Sequence, residues 1–138
     1  MRGFIAGLLL LIHGAAWPAD ASTPRSRAEE FLGSLQGGDV ASAYDNLFKG
    51  SSIPEAKPQA VAALKQQTTS ILPLYGKVLG SELVTEETFG SSVTRLVYIV
   101  RLEKAPTIWE FYFYKSKAEW FLANIQFGDQ FALLGRKK

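Results

Sequence analysis

The spacing of apolar residues changes at Lys77, and this change constrains the fold more than any other feature of the sequence. Before Lys77, apolar residues recur at the i, i+3, i+4, i+7 spacing of one helix face. After it, four segments rich in β-branched and aromatic residues are separated by short turns. Helices followed by strands predict an α+β domain, with three N-terminal helices packed on a curved antiparallel sheet of four strands. Residues 130–134 either add a short fifth strand at the edge or simply pack down on the domain.

Three helices are predicted in the first half. The first begins at Thr23-Pro24, which offers a cap and a proline at the first helical position, and ends at Gly37-Gly38. Asp39 is predicted to cap the second helix. The third begins between Pro54 and Pro58 and is predicted to stop at Pro73, because proline lacks the amide hydrogen that a helix needs.

The predicted strands cover residues 77–86, 93–103, 107–115 and 120–127. Their short connections indicate an antiparallel meander. Because side chains alternate along a strand, Trp109, Phe111 and Phe113 share one face of the third strand, and Ile108, Tyr112 and Tyr114 share the other. Both faces are therefore apolar. One can pack on the helices, and the second needs a ligand, another protomer or the C-terminal segment.

The first 21 residues have the pattern of a cleavable secretory signal peptide. Arg2 gives a positive start, residues 4–12 form an uncharged apolar run, and Ala19 and Ala21 are the small residues that a signal peptidase recognises. We expect cleavage after Ala21, with Gly14 and Ala16 offering an earlier site. The alternative is a membrane anchor, but the apolar run is only half of the roughly 20 residues needed to span. The expected organisation is a signal peptide over 1–21 and one soluble domain over 22–138, periplasmic or secreted.

Composition excludes several classes of chemistry. The chain has no cysteine, and its single histidine, His13, lies in the predicted signal peptide. Disulfides and a cysteine-linked lipid anchor are therefore excluded, as are Ser-His and Cys-His nucleophiles in the mature chain. Metal sites built on His or Cys are excluded as well, so we predict no metal and no cofactor. A net charge of +2 gives no indication of nucleic-acid binding.

The order of elements over residues 24 to 131 resembles the NTF2-like superfamily, which has a cone-shaped cystatin-like α+β fold. Locally, three motifs are similar to the first two helices and the long C-terminal strands of that family: Phe31-Leu32-x-x-Leu35-x-x-Gly38-Asp39-x-x-x-Ala43-Tyr44, Trp109-x-Phe111-x-Phe113 and Trp120-x-Leu122. Among its members the chain looks most like small secreted proteins of unassigned function. The resemblance implies a pocket between sheet and helices and frequent dimers through the outer sheet face. It implies no reaction, because the scaffold hosts isomerases, dehydratases, epoxide hydrolases and binding modules.

Glu110 is the candidate catalytic residue. It lies within Ile108-Trp109-Glu110-Phe111-Tyr112, where apolar neighbours would desolvate a carboxylate and prepare it to act as a general base. The alternative, which we favour, is structural pairing with a basic residue. A two-residue turn within 104–107 would place Arg101 opposite Glu110, whereas a shift of one residue would place Arg101 opposite Trp109.

The candidate ligand-binding residues are Tyr44, Arg95, Trp109, Tyr112 and Tyr114. Arg95 is either an anion anchor in a pocket or part of a solvated stripe. The aromatic residues, together with Tyr98 and Trp120, line a pocket or belong to the core. Asp39 and Asp129 are interpreted as a helix cap and a turn residue rather than as catalytic groups.

Two functions fit this sequence. The first is a non-enzymatic exported domain that binds a small apolar or amphipathic ligand or an envelope protein, as a homodimer through the sheet. The second is a metal-free lyase or isomerase with Glu110 as its base in the cone pocket.

Overall fold

The structure is a computed structural model that describes residues 22–134. The predicted signal peptide, its cleavage site and His13 lie outside the described residues. Four helices precede four strands: α1 (Pro24–Gln36), α2 (Val40–Leu47), α3 (Ile53–Ala56), α4 (Pro58–Tyr75), β1 (Val78–Phe89), β2 (Val93–Leu102), β3 (Pro106–Lys115) and β4 (Trp120–Gly128). The α+β architecture predicted from the sequence is confirmed.

Polar caps fix the starts of the first two helices. The Thr23 side chain accepts a hydrogen bond from the backbone N–H of Ser26, whose own side chain accepts from the N–H of Thr23. This reciprocal pair satisfies donors that a helix start would otherwise leave unpaired. Asp39 caps α2 by accepting from the N–H of Ser42 at 3.2 Å, as its position after Gly38 predicted.

The third predicted helix is two helices, and its predicted end at Pro73 is wrong. Pro73 lies in the last turn of α4, where it removes a single intrahelical hydrogen bond and does not break the helix. The helix ends instead at Gly76, whose φ of 86° and ψ of −160° are open essentially to glycine alone. This turn leads directly into β1.

The four strands form one antiparallel sheet in the order β1-β2-β3-β4, which confirms the predicted meander. Pairing of β1 with β2 is interrupted at Leu79 and Val84, and both of these side chains are exposed. Each interruption inserts a residue that the partner strand does not match, which increases local twist and bends the strand. The β4 strand has a similar irregularity opposite Tyr112 and Phe113.

The hydrophobic core lies between the helices and one face of the sheet. Its sheet side consists of alternate residues from the three strands β2, β3 and β4: Leu96, Tyr98, Val100, Leu102, Trp109, Phe111, Phe113 and Leu122. Helices α1 and α2 supply Phe31, Leu35 and Tyr44 against them. The opposite side of the sheet is called the outer face below.

The candidate fifth strand is not formed. Residues Phe131–Leu134 are a short 3₁₀ helix, which lies against β3. The chain leaves the sheet at Gly128 and Asp129, and the Asp129 carboxylate accepts a hydrogen bond from the Tyr75 hydroxyl at 3.1 Å. That contact joins the segment after β4 to the end of α4.

Candidate functional site

Aromatic side chains fill the centre of the space between helices and sheet. The ring centroid of Phe31 lies 4.9 Å from that of Tyr44 and 5.6 Å from that of Trp109, and Trp109 stacks on Phe127 at 4.2 Å. Tyr44 and Trp109 are fully buried. Two of the predicted ligand residues are therefore packed within the core.

The polar groups of these buried rings are satisfied inside the protein. The Tyr44 hydroxyl lies 2.6 Å from Thr68 Oγ1, and that oxygen donates to the carbonyl of Leu64 at 2.8 Å. Because a threonine hydroxyl carries one hydrogen, Tyr44 must be the donor to Thr68. Burial raises the pKa of the Tyr44 hydroxyl well above its usual value. Trp109 Nε1 donates to Thr107 Oγ1 at 3.0 Å, so neither ring offers a free polar atom to a ligand.

Glu110 lies on the outer face, directly opposite Val97 on β2 and Gln126 on β4. Only 5% of the residue is exposed. One carboxylate oxygen accepts from Arg95 Nε at 2.7 Å, and the other accepts from the side-chain amide of Gln126. The favoured interpretation of Glu110, structural pairing with a basic residue, therefore fits the geometry.

The predicted partner of Glu110 was wrong. Arg101 pairs with Pro106 in the sheet, and its Nε lies 3.7 Å from a carboxylate oxygen of Glu82. The reason is the position of the β2–β3 turn, which is centred on residues 103 and 104 and is closed by the Leu102 N–H bonded to Ala105 O. Proline is tolerated as the first residue of a strand, so Pro106 begins β3 rather than forming the turn.

Arg95 is neither solvated nor free to anchor an anion. Its side chain is 13% exposed, and besides Glu110 it donates from a terminal nitrogen to Glu87 at 3.1 Å. Burial lowers the pKa of the Arg95 guanidinium, but the hydrogen bond and charge of Glu110 outweigh it and raise that pKa above its usual value. The carboxylates of Glu110 and Glu87 therefore balance the charge of Arg95 within the protein.

The sheet separates the five candidate ligand-binding residues into two groups. Tyr44 and Trp109 lie on the helix side, whereas Arg95, Tyr112 and Tyr114 lie on the outer face. A single ligand cannot contact both groups through the sheet. Tyr114 is 39% exposed and meets Phe121 edge to face with ring centroids 5.4 Å apart.

An open cleft of about 420 Å³ lies between α1 and strands β1 and β2. Its polar end consists of Arg25, Glu29 and Tyr98. A carboxylate oxygen of Glu29 accepts from Arg25 Nε at 3.0 Å and, more weakly, from the Tyr98 hydroxyl at 3.5 Å. Burial and the nearby Glu29 charge raise the pKa of Tyr98, so that its hydroxyl stays protonated and able to donate.

The rest of the cleft is lined by apolar side chains, by glycines and by the polar residues Gln36 and Ser81. Leu32, Val78, Leu83 and Val100 form its walls. Gly33, in the middle of α1, also borders it, and a Cβ added there would meet no atom within 4 Å. Glycine inside a helix costs about 1 kcal/mol relative to alanine. Nothing packs close enough to require glycine at this position, but its missing side chain keeps the cleft open.

Most of the residues that line this cleft were not predicted from the sequence. Tyr98 was among the aromatic candidates, but Arg25, Glu29 and Gly33 were not singled out. The available signal was local: Arg25 and Glu29 are four residues apart on one helix, and Gly33 continues the same spacing. Gly33, in the middle of the amphipathic helix α1, was the sequence feature that indicated a site beside that helix.

Neither a family model nor a curated protein matches the sequence significantly. A crystal structure of a candidate NTF2-like transpeptidase from Campylobacter jejuni superposes with a TM-score of 0.55. The match covers 73% of this chain and 97% of that chain, at 16% sequence identity. The fold is NTF2-like.

At this identity the likeness concerns the NTF2-like fold alone, and transpeptidase is a description of the Campylobacter protein. Within residues 22–134, no helix is long and apolar enough to cross a membrane. In the same part of the chain, no three His, Cys, Asp or Glu side chains are grouped so that they could hold a metal ion.

Proposed function

We propose that this chain is an exported, non-enzymatic NTF2-like binding domain that takes a small amphipathic ligand in the cleft between α1 and strands β1 and β2. The observation that carries the proposal is the composition of this cleft. It combines an apolar wall with a polar end, and Gly33 leaves it unfilled. Ligand sites of other proteins likewise combine apolar side chains with polar groups that orient the ligand.

The polar end favours a ligand with a polar or anionic head. Glu29 engages Nε of Arg25, and the terminal amino groups of Arg25 make no hydrogen bond within residues 22–134. A guanidinium with two free terminal nitrogens can donate to a carboxylate or carbonyl. The ligand's apolar part would then lie along the apolar walls of the cleft, which include Val78 and Leu83.

The enzymatic alternative receives no support from the position of its base. A lyase or isomerase built on Glu110 requires this carboxylate in the cone, near a tyrosine and free of arginine. Glu110 instead faces outward and is bound to Arg95 and Gln126. Both of its oxygens are engaged, which leaves the binding function as the one that the geometry favours.

We propose in addition that the outer face forms a homodimer. One cross-strand row spans all four strands through directly paired residues: Phe89, Val93, Tyr114 and Phe121. Phe89 is 49% exposed, so the row presents apolar surface to water. A second copy related by a twofold axis would bury two such rows against each other.

Ligand binding in the cleft is tested with variants that fill it. Gly33→Leu places a side chain in the cleft, Gly33→Ala adds one methyl group, and Glu30→Leu adds the same leucine to α1 outside the cleft. With 1-N-phenylnaphthylamine as fluorescent probe, we expect Gly33→Leu to weaken binding at least tenfold, and the other two variants to change it less than threefold. Unchanged binding in Gly33→Leu would contradict the proposal.

A further inference from the structure

A second groove, of about 520 Å³, separates α4 from β4 on the other side of the molecule from the α1 cleft. Its apolar lining includes Ile53, Val61, Leu64 and Ile125. Small exposed residues, Ala60 and Ala63 on α4 and Ala123 on β4, border it. Because these side chains are small, they leave the space between helix and strand open.

One wall of the groove is the edge of the sheet. Within the described residues, β4 is paired only with β3. The backbone groups of alternate β4 residues therefore point away from the sheet, where an added strand could bond to them. At the start of the strand this position is already occupied, because Arg27 donates to the Trp120 carbonyl at 2.7 Å. The regular part of the free edge begins beyond Ala123, which β3 leaves unmatched.

The other wall is a helix with little of its surface covered. Over its 18 residues, α4 buries only Val61 and Thr68. Most helices in proteins depend on packing of an apolar face for their stability. Val61 and Leu64 pack on the hydrophobic core and also border the groove. Ala60 and Ala63 border the groove as well and are exposed.

The single charged residue lining the groove is Lys57. It immediately precedes α4, and no side chain caps the amide groups of that helix start. Both features make this end of the groove positive. The other polar residues that line it, Gln67 and Asn124, carry amides and add no compensating charge.

We propose that this groove binds an extended segment of another protein, with alternating apolar side chains and an acidic residue at one end. The segment pairs with the free edge of β4, directs its apolar side chains against α4, and places its carboxylate beside Lys57. A helix could not use the backbone groups of the β4 edge, since its own are bonded internally. This site is separate from the α1 cleft and does not depend on the small-ligand proposal.

The test uses defined peptides and the full chain expressed with its own leader. One labelled hexapeptide is glutamate followed by alternating valine and threonine, the second replaces glutamate by lysine, and the third carries the glutamate at the other end. Binding is followed by fluorescence anisotropy. Ala63→Trp blocks the groove, and Ala62→Trp is the matched control because Ala62 is exposed on α4 but does not line it.

We expect one of the two glutamate peptides to bind and the lysine peptide to bind at least tenfold more weakly. Lys57→Glu should reverse that preference, and Ala63→Trp, but not Ala62→Trp, should abolish binding. Amide hydrogen exchange in β4 between residues 124 and 127 should slow when peptide is bound. These results together would establish the groove as a site for an acidic, extended segment.

Several results would overturn the proposal. One is failure of all three peptides to bind at millimolar concentration, and another is equal binding to wild type and Lys57→Glu. Loss of binding in Gly33→Leu but not in Ala63→Trp would move the peptide to the α1 cleft. Self-association abolished by Ala63→Trp would assign the groove to a second copy of the chain.

Discussion

At the scale of single residues, the outer face shows how a charge is kept buried by pairing with an opposite charge. Glu110 and Arg95 are both largely inaccessible to water, and each satisfies the other. Removing one partner of a buried ion pair leaves the second charge uncompensated, which is more damaging than replacing both with apolar residues.

Arg95→Ala should therefore destabilise the protein by about 3 kcal/mol, because Glu110 would remain buried without its cation. The double variant Arg95→Met/Glu110→Leu should recover most of that loss. Urea denaturation monitored by tryptophan fluorescence measures both values. A loss below about 0.5 kcal/mol in Arg95→Ala, as typical of exposed pairs, would show that the pair is solvated and not buried.

A second prediction at this scale concerns Tyr44 and the dependence of folding stability on pH. Its pKa is raised in the folded protein, so its contribution to stability is complete below about pH 10, the usual tyrosine pKa. As the pH rises above 10, the unfolded chain loses its proton while the folded protein keeps it, and stability falls. Tyr44→Phe should lower stability at pH 8 but weaken this alkaline decline. Identical slopes between pH 9 and 11 for both proteins would contradict the assignment.

At the scale of elements, the periodicity of apolar residues predicted the helices and strands, which depend on residues close together in the sequence. The helices α1 and α2 and all four strands follow from the spacing of residues such as Phe31, Leu35, Trp109 and Phe111. The cross-strand partner of Glu110 depends instead on where a turn is centred. Because a shift of the β2–β3 turn by two residues replaces every cross-strand partner, the partner of Glu110 could not be obtained from composition or spacing.

The α1 cleft could not be predicted for a related reason. Arg25 and Glu29 lie at the start of the described chain, and Tyr98 lies some seventy residues later. Their proximity depends on how α1 crosses the curved sheet, which local sequence does not determine. Tyr112 and Tyr114 were correctly predicted to lie on the face opposite Trp109. Which of the two faces packs on the helices was left open.

The turn from α4 into β1 gives a prediction at the element scale. A Cβ at Gly76 would lie 3.0 Å from Glu103 Cβ, in a backbone conformation nearly restricted to glycine. Gly76→Ala should cost about 2–3 kcal/mol. Gly38→Ala is the control, since Gly38 also has a positive φ but has open space around it, and it should cost about 1 kcal/mol. Equal losses in urea denaturation would show that contact with Glu103 has no effect.

At the scale of the whole molecule, the outer face and the α1 cleft lie on different sides of the sheet. A dimer through the row of Phe89, Val93, Tyr114 and Phe121 would therefore leave the cleft open. The two proposals can be tested independently because they share no residue.

Tyr114→Arg should convert the homodimer to a monomer, because it places a charge at the centre of the apolar row. Thr69→Arg is the control, as Thr69 is exposed on α4 away from the outer face. Sedimentation velocity at micromolar concentration distinguishes the two states. A wild-type protein that sediments only as a monomer would contradict the dimer and leave the cleft proposal intact.

The central claim is that the α1 cleft holds a small amphipathic ligand. Native mass spectrometry of the protein isolated from its natural host tests it most directly, since a retained ligand adds a defined mass. We expect the added mass in wild type and in Gly33→Ala, and its loss in Gly33→Leu. The absence of any added mass in wild type, or its persistence in Gly33→Leu, would contradict the claim.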